Sequence, residues 1–430
     1  VSEDGFDAII VGGGVAGTTS AYVMAKAGLQ VLVVERGSFC GAKNMTGGRL
    51  YSHSLEKIIP NFAEEAPVER KVTKEKISMM TEDSAFTIDY TSEQLKSQGK
   101  DSYVILRGSF DRWLAEKAEE AGAMFACGIR VDDLLIRDAK VCGIIAGEDE
   151  IEANVVLLAD GVNSLLTQRL GYCGELRPDQ VAVGAKEVIE LPESVIQDRF
   201  NCQGDEGTAW LFAGSPSDGK IGGGFLYTNK NSISLGVVST LSDLIKADKS
   251  IAQMLEDFKQ HAIIAPLIKD GKLIEYSGHL VPEGGYNMIP KIIGNGVLVV
   301  GDAAGFCINI GYVVRGLDLA IASAECAAKA VIEAKKSENY SESFLQCYQS
   351  FLDESFVMQD LKHYKKFPYF LEGCPRIFDG YPQMIENIMS DLFVVSGQPA
   401  NPLMKNLLKH LKKVGIMNIA KDAWKGVRSL

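Results

Sequence analysis

The stretch Phe6 to Gly17, FDAIIVGGGVAG, constrains the fold of this chain more than any other. An apolar, strand-like run ends in three glycines, and the next stretch, VAGTTSAYVMAKAGLQ, has the small residues and helix formers of a tightly packed helix. In the pattern Gly12-x-Gly14-x-x-Gly17 the first glycine makes a sharp turn. The second lets a pyrophosphate approach the backbone, and the third lets helix and strand pack closely. Gly13 lies inside the turn, and Val15 and Ala16 open a helix whose N-terminus offers unpaired N–H groups to an anion. A second apolar run, Gln30 to Val34, ends at Glu35. An acid roughly 20 residues past such a turn accepts hydrogen bonds from an adenosine ribose.

A chain of 430 residues buries a substantial core and suggests two or three domains. The net charge of -12 argues against general nucleic-acid binding. No basic and apolar leader precedes the first strand, so no signal peptide is expected, and no long uncharged apolar run predicts a spanning helix. Nine scattered cysteines, an odd number, fit a reducing compartment, most simply the cytoplasm. Without C-x-x-C, H-E-x-x-H or ferredoxin-like spacing, no metal site is expected from this chain alone.

After Glu35 a loop runs from Arg36 to Tyr51, with glycines at 37, 41, 47 and 48 that permit close backbone approach to something bulky. It reads as a cofactor-covering loop, Arg36 and Gly48 included, or as a flexible connection. KISMM and AFTIDY suggest strands outside the first nucleotide-binding unit. SFDRWLAEKAEEAGA predicts a helix with Ser109 as N-cap and Gly122 as its stop. Arg107, just before that helix, either holds a phosphate or cofactor edge or makes a surface ion pair. A meander follows, MFACGI, VDDLLI, KVCGIIAG and EANVVLLADG, whose last run ends at Asp160, where an open parallel sheet places its ligand crevice.

From Val181 to Ser277 the texture becomes strand-rich, interrupted by a helix around IAQMLEDFKQH. Gly222 to Gly224 is not a second dinucleotide fingerprint, because the strand-like FLYT follows it. The first fold then resumes in GVLVVGDAAG, residues 296 to 305, with Gly301, Asp302 and Gly305 at its end and a long small-residue helix behind. Asp302 either binds a polyol hydroxyl or caps the helix. The last thirty residues hold seven Lys or Arg against one Asp, interleaved with Leu, Ile, Met and Trp424. That pattern predicts amphipathic helices lying on an anionic membrane or an acidic protein, or else packed on the chain itself.

The glycine turn with Glu35, the LLADG strand end and the GVLVVGDAAG strand end together resemble the FAD-binding domain of the glutathione-reductase-like flavoproteins, hydroxylase branch. Longer stretches, GAKNMTGGRLYSHSLEKIIP, AVGAKEVIELP, GGGFLYTNKNSISLGVV and GDAAGFCINIGYVVRGLDLAI, are similar to the FixC group, relatives of electron transfer flavoprotein-ubiquinone oxidoreductase. The resemblance runs through essentially the whole chain. It implies an α/β fold with a Rossmann-like FAD-binding domain, an inserted antiparallel-sheet substrate domain and a helical C-terminal region. Residues 1–54, 101–180 and 281–340 would form the first, 55–100 and 181–280 the second, and 341–430 the third.

By that resemblance Gly12, Gly13, Gly14, Val15, Ala16 and Gly17 line the pyrophosphate and Glu35 the ribose, with Arg36 and Gly48 beside them. Arg107 lies near the flavin, and Asp160, Gly301, Asp302 and Gly305 line the crevice, Asp302 on the ribityl chain. No catalytic acid or base is assigned. The implied activity is transfer of electrons from an electron transfer flavoprotein to a quinone, in a complex with a separate ferredoxin-like iron–sulfur subunit. The larger relatives carry their cluster on a C-terminal region that has no counterpart among these cysteines. A geranylgeranyl-reductase-like enzyme, an aromatic hydroxylase and a relay subunit without its own turnover stay open as alternatives. The expected location is the cytoplasm, at the inner face of the cell membrane if residues 401–430 lie on lipid.

Overall fold

The structure, a computed structural model, describes residues 5–43, 48–397, 399 and 401–429. The strand Phe6–Val11 is buried along nearly its whole length, as a central strand must be. It pairs in parallel with Val31–Glu35 on one side and Asp149–Leu158 on the other. Met124–Cys127 extends the sheet in parallel beyond the former, and Val297–Val299 beyond the latter. All these strands therefore end at one edge. Asp133–Arg137 and Lys140–Ala146 extend Asp149–Leu158 as an antiparallel ribbon. The expected meander thus loses its first member. Met124–Cys127 follows a crossover helix, Arg107–Glu120, and so enters the sheet in parallel. That helix starts two residues before Ser109, after the extended Leu106, so Ser109 sits within its first turn and caps nothing.

Close backbone approach explains the glycines of the opening turn. A Cβ on Gly17 would lie 1.9 Å from the Gly12 carbonyl oxygen, and one on Gly12, whose φ is +106°, would lie 2.3 Å from the Ala159 oxygen. The helix Val15–Lys26 is buried by its small residues against the long helix Leu317–Lys336, and the Ser20 hydroxyl donates to the Ala324 carbonyl across that contact at 3.3 Å.

The second sheet has nine strands. From one border they run Lys272–Pro282, Val181–Glu190, Ser232–Thr240, Gly222–Thr228, Glu206–Gly214, Val68–Met80, Ser102–Ile105 and Gly48–Tyr51, with Ala85–Thr91 on Val68–Met80. Its pairings are antiparallel except that of Glu206–Gly214 with Val68–Met80, so the sheet is mixed where an antiparallel one was expected. The chain leaves the sheet after Ser102–Ile105, builds much of the parallel body and returns, and nothing then obliges it to return in the opposite sense. Gly48–Tyr51 and Ser102–Ile105 also belong here, inside segments that the sequence places with the parallel body. One face of this sheet, with Trp210, Phe212, Leu226, Leu235 and Val237, packs on the helix Ile251–Gln260. A run of helices from Glu342–Leu345 to Ile416–Val427 completes the chain.

The turn makes a direct prediction. Gly12→Ala forces a side chain onto the Ala159 carbonyl at a backbone angle that L-residues avoid, and destabilises the protein by about 2–4 kcal/mol. Denaturant unfolding of the flavin-free protein measures it.

Candidate functional site

The parallel register gathers the site at one edge. Past Val11, the Gly13 N–H donates to Glu35 Oε2 at 2.8 Å, and the Gly37 N–H donates to Oε1 of the same carboxylate. Glu35 therefore braces the turn from the neighbouring strand end and keeps lone pairs to spare, since a carboxylate offers about four acceptor sites. Behind it Val15, Ala16 and Gly17 start the helix, where N–H groups have no intrahelical acceptor. Arg36 next to Glu35 is exposed. Gly48 opens its strand opposite Ile105 and close to Leu317. Residues 44–47, part of the loop expected to cover a cofactor, lie outside the described residues.

Two further strand ends meet this edge. Asp160 follows Asp149–Leu158, and its Oδ1 is buried without a hydrogen-bond partner. Burial pushes its carboxyl up to about 6, against the pull of its own N–H and that of Leu166. Asp302 stands in a short turn, Gly301–Ala304, held by the Gly301 N–H donating to Ser323 Oγ at 3.2 Å. The long helix begins only at Leu317, so the capping role open to Asp302 is not the one it fills. Among the described residues no hydrogen bond reaches its carboxylate. It lies deep in the protein yet keeps some accessible surface, so it lines a recess at this edge. Burial raises its pKa, opposed by Arg107 and His279. Gly305 closes the turn at φ +71°, against Met288.

Arg107 belongs to the helix itself. Its guanidinium grips Asp111 with two bonds of 2.8 Å each, and Asp111 is fully buried. This is an ion pair, but an interior one facing Asp302, not the surface pair that the sequence allows.

The opposite wall is the second face of the nine-stranded sheet. Register sets Lys186 opposite Ser277, Gly184 opposite His279 and Val188 opposite Glu275, and residues directly opposite share a face. Lys186, Ser277, His279 and Glu275 therefore project from the side away from the helix Ile251–Gln260. Lys186 is 1% exposed, and burial, opposed by Glu275, draws its pKa down to about 7. His279 is lowered by burial, opposed by Asp302. Further along lie Tyr227, pushed up by burial, and Arg49, which pairs with Glu75 and covers the Tyr51 ring at 4.5 Å. The sequence reading missed Lys186 and His279. The available signal was a lysine inside the otherwise apolar strand VAVGAKEVIE, but its face is settled only by pairing with a strand ninety residues on.

Comparisons with known proteins bear on this geometry. A description of the ETF-QO/FixC family C-terminal domain matches residues 367–430, and one of FAD dependent oxidoreductases matches residues 7–95. Over its full 430 residues, and the full length of each relative, the chain is 56% identical to "Probable electron transfer flavoprotein-quinone oxidoreductase YdiS" and to "Protein FixC", both of Escherichia coli K12. The chain belongs to the ETF-QO/FixC family. It is an FAD-dependent oxidoreductase, and FAD is its cofactor. Solved structures share the fold of this FixC-family chain. A geranylgeranyl bacteriochlorophyll reductase-like protein of Thermoplasma acidophilum matches with TM-score 0.72 at 21% identity, covering 98% of this chain and 99% of that one. The flavin-dependent brominase Bmp2 matches at 0.65 and 15%, covering 90% and 98%.

Asp160 makes the site pH-sensitive. Its folded pKa lies above the ordinary 3.8, so the folded state holds the proton more tightly. That stabilisation is complete below pH 3.8 and is lost as pH rises through about 6. Urea unfolding of the flavin-free protein between pH 4 and pH 7 should show the loss, and Asp160→Asn should reduce it.

Proposed function

We propose that this chain passes electrons through its FAD from an electron transfer flavoprotein to a quinone, in a complex that includes a small ferredoxin-like iron–sulfur protein. The observation that carries this is the approach of Asp302 and Arg107, at the strand-end edge, to His279 on the polar face of the second sheet. It supports an acceptor held against a cofactor bound along that edge. The printed names of the relatives supply the same donor and acceptor. Gly222–Thr228 is a strand, so Gly222 to Gly224 build no second nucleotide turn, which favours electrons arriving from a protein.

In this reading the parallel body holds FAD. The N–H groups after Gly14 receive its pyrophosphate, Glu35 the ribose and Asp302 the ribityl chain. The fit rests on acceptors and donors without partners among the described residues: the first-turn N–H groups, Asp160 Oδ1 and the Asp302 carboxylate. Bound there, FAD supplies the two-electron chemistry. The chain's own residues orient it, and the Arg107–Asp111 pair and the second sheet exclude bulk water from the acceptor side.

The tail supports a membrane-facing location at the inner surface of the cell membrane. Helices Leu403–Val414 and Ile416–Val427 carry exposed Leu403, Met404, Met417, Trp424 and Val427 beside Lys405, Lys409, Lys412, Lys421 and Lys425, a pattern suited to the lipid interface. No helix among the described residues is long and apolar enough to cross a membrane. Asp422 anchors the last helix to the body through Arg376 at 2.7 and 2.8 Å and Tyr381 at 2.7 Å, leaving the apolar side outward.

Three outcomes are expected. Protein supplied with a reduced electron transfer flavoprotein partner reduces a short-chain quinone; direct reduction by NADPH with no response to quinone overturns the proposal. Asp302→Ala and Glu35→Ala each weaken FAD binding about 10- to 100-fold, the range for a lost charged hydrogen bond. Asp302→Ala does not lower the melting temperature of the flavin-free protein, since burial of that carboxylate outweighs its attraction to Arg107 and His279, and unaltered flavin titration in both variants removes these assignments. Replacing Met417, Trp424 and Val427 together by Ser lowers co-sedimentation with anionic vesicles about tenfold or more without loss of bound flavin; unchanged sedimentation removes the lipid contact.

A further inference from the structure

One enclosed carboxyl has no part in the roles above. Glu283 follows the strand that carries His279, and Asn309 Nδ2 donates to both of its oxygens at 3.2 Å. No cation pairs with it among the described residues. It lines a small cleft together with Tyr286, Cys307, Asn309, Tyr364 and Pro368. The cleft has about 10 Å³ of room, enough for about one water and too little for any ligand. Its rim, at Gly285, Tyr286, Tyr364 and Pro368, keeps accessible surface. On the inner side Cys307 is close enough to sense the charges of both Glu283 and Asp302. Glu283 therefore meets water in this cleft, and Cys307 lies near both it and Asp302.

We infer that Glu283 is a proton-relay residue, taking protons from water in this cleft and passing them inward past Cys307 to the acceptor in the cavity. The inference rests on the proposed quinone reduction. Conversion of a quinone to a quinol takes two electrons and two protons and makes two O–H bonds. The electrons arrive by way of FAD. For each proton relayed, the Glu283 O–H bond breaks, an O–H bond forms on the acceptor side through intervening water, and cleft water reprotonates the carboxylate. Burial pushes the carboxyl up to about 7, opposed only by the Asn309 bond, so both of its forms are populated near neutrality. The other titratable groups around it are the Cys307 thiol, raised well above its usual range by burial, and the phenols of Tyr286 and Tyr364, the latter also raised by burial. The Cys307 thiol and the Tyr364 phenol, both moved away from neutrality, exchange protons at neutral pH less readily.

The test compares FAD-loaded wild type, Glu283→Gln and Glu283→Asp, with FAD content and melting temperature as controls. Infrared difference spectra on chemical reduction of the flavin read the carboxyl directly, without turnover. A protonated-carboxyl band that titrates near pH 7 and responds to reduction is expected in the wild type and absent from Glu283→Gln. Reoxidation by a short-chain quinone is expected to slow about tenfold or more in Glu283→Gln and to lose its pH dependence near 7, with part of both restored in Glu283→Asp. Wild-type rate and pH profile in Glu283→Gln, or persistence of the band, overturns the relay. If Glu283→Gln does not fold, Glu283→Asp decides by a shifted titration midpoint, and an unmoved midpoint overturns it. If quinone reoxidises none of the three proteins, the proposed function fails while the infrared titration still decides Glu283: a redox-linked band supports the relay and its absence overturns it.

Discussion

The near-contact between the Gly17 backbone and the Gly12 carbonyl, where a single methyl would lie 1.9 Å from oxygen, is the constraint on which the rest of the site depends. It lets a helix begin one turn after the strand ends, so the unpaired N–H groups of that helix stand at the sheet edge. Gly12 carries the constraint sideways, because its own lack of a side chain lets the Ala159 carbonyl close in. Three strand ends are thereby drawn together, and Glu35, Asp160 and Asp302 have no other place to go. Acceptors on three sides and donors in the middle follow from backbone packing before any side chain is chosen.

The second sheet solves a different problem, since it must be oil on one face and polar on the other. Its apolar face needs a cover, and the helix Ile251–Gln260 supplies one with Met254, Leu255 and Phe258. Its mixed pairing is held by Arg70, fully buried, whose guanidinium donates to the carbonyls of Asn229 at 2.8 Å, Gly204 at 2.6 Å and Glu206 at 3.0 Å. A buried guanidinium is costly unless its donors are met, and here backbone oxygens from two strand-end loops meet them. That network fixes Val68–Met80 beside Glu206–Gly214, and so holds the polar face over the nucleotide edge.

Local pattern carried much of this fold. Apolar runs and glycine punctuation place Phe6–Val11, Val15–Lys26 and Val31–Glu35 correctly, because burial, turn and helix all act within thirty residues. The polar wall was not legible for the converse reason. Lys186 faces the cavity only because Val181–Glu190 pairs with Lys272–Pro282 in one register, and a slip of one residue would turn it toward Phe258. Arg107 shows the same limit at shorter range. Its partner Asp111 is one helical turn away and visible in the sequence, yet nothing local says that the pair is interior. Asp302 was ambiguous because a Gly-Asp strand end caps a helix as readily as it lines a crevice, and only the fifteen-residue delay before Leu317 separates the two.

Charges of both signs lie close together in this interior, and desolvation acts on them alike in outcome. It raises the carboxyls of Asp302 and Glu283 and lowers Lys186 and His279, moving each group toward its uncharged form. A cavity of fixed, fully ionised groups would resist any change of charge within it, because in a low dielectric the nearest opposite charge dominates. Groups moved toward their uncharged forms leave fewer fixed charges there. For an oxidoreductase whose cofactor and acceptor both change charge as electrons pass, such a lining keeps the interior close to neutral at every stage. The burial that makes these side chains unstable as ions is therefore what suits them to a redox cavity.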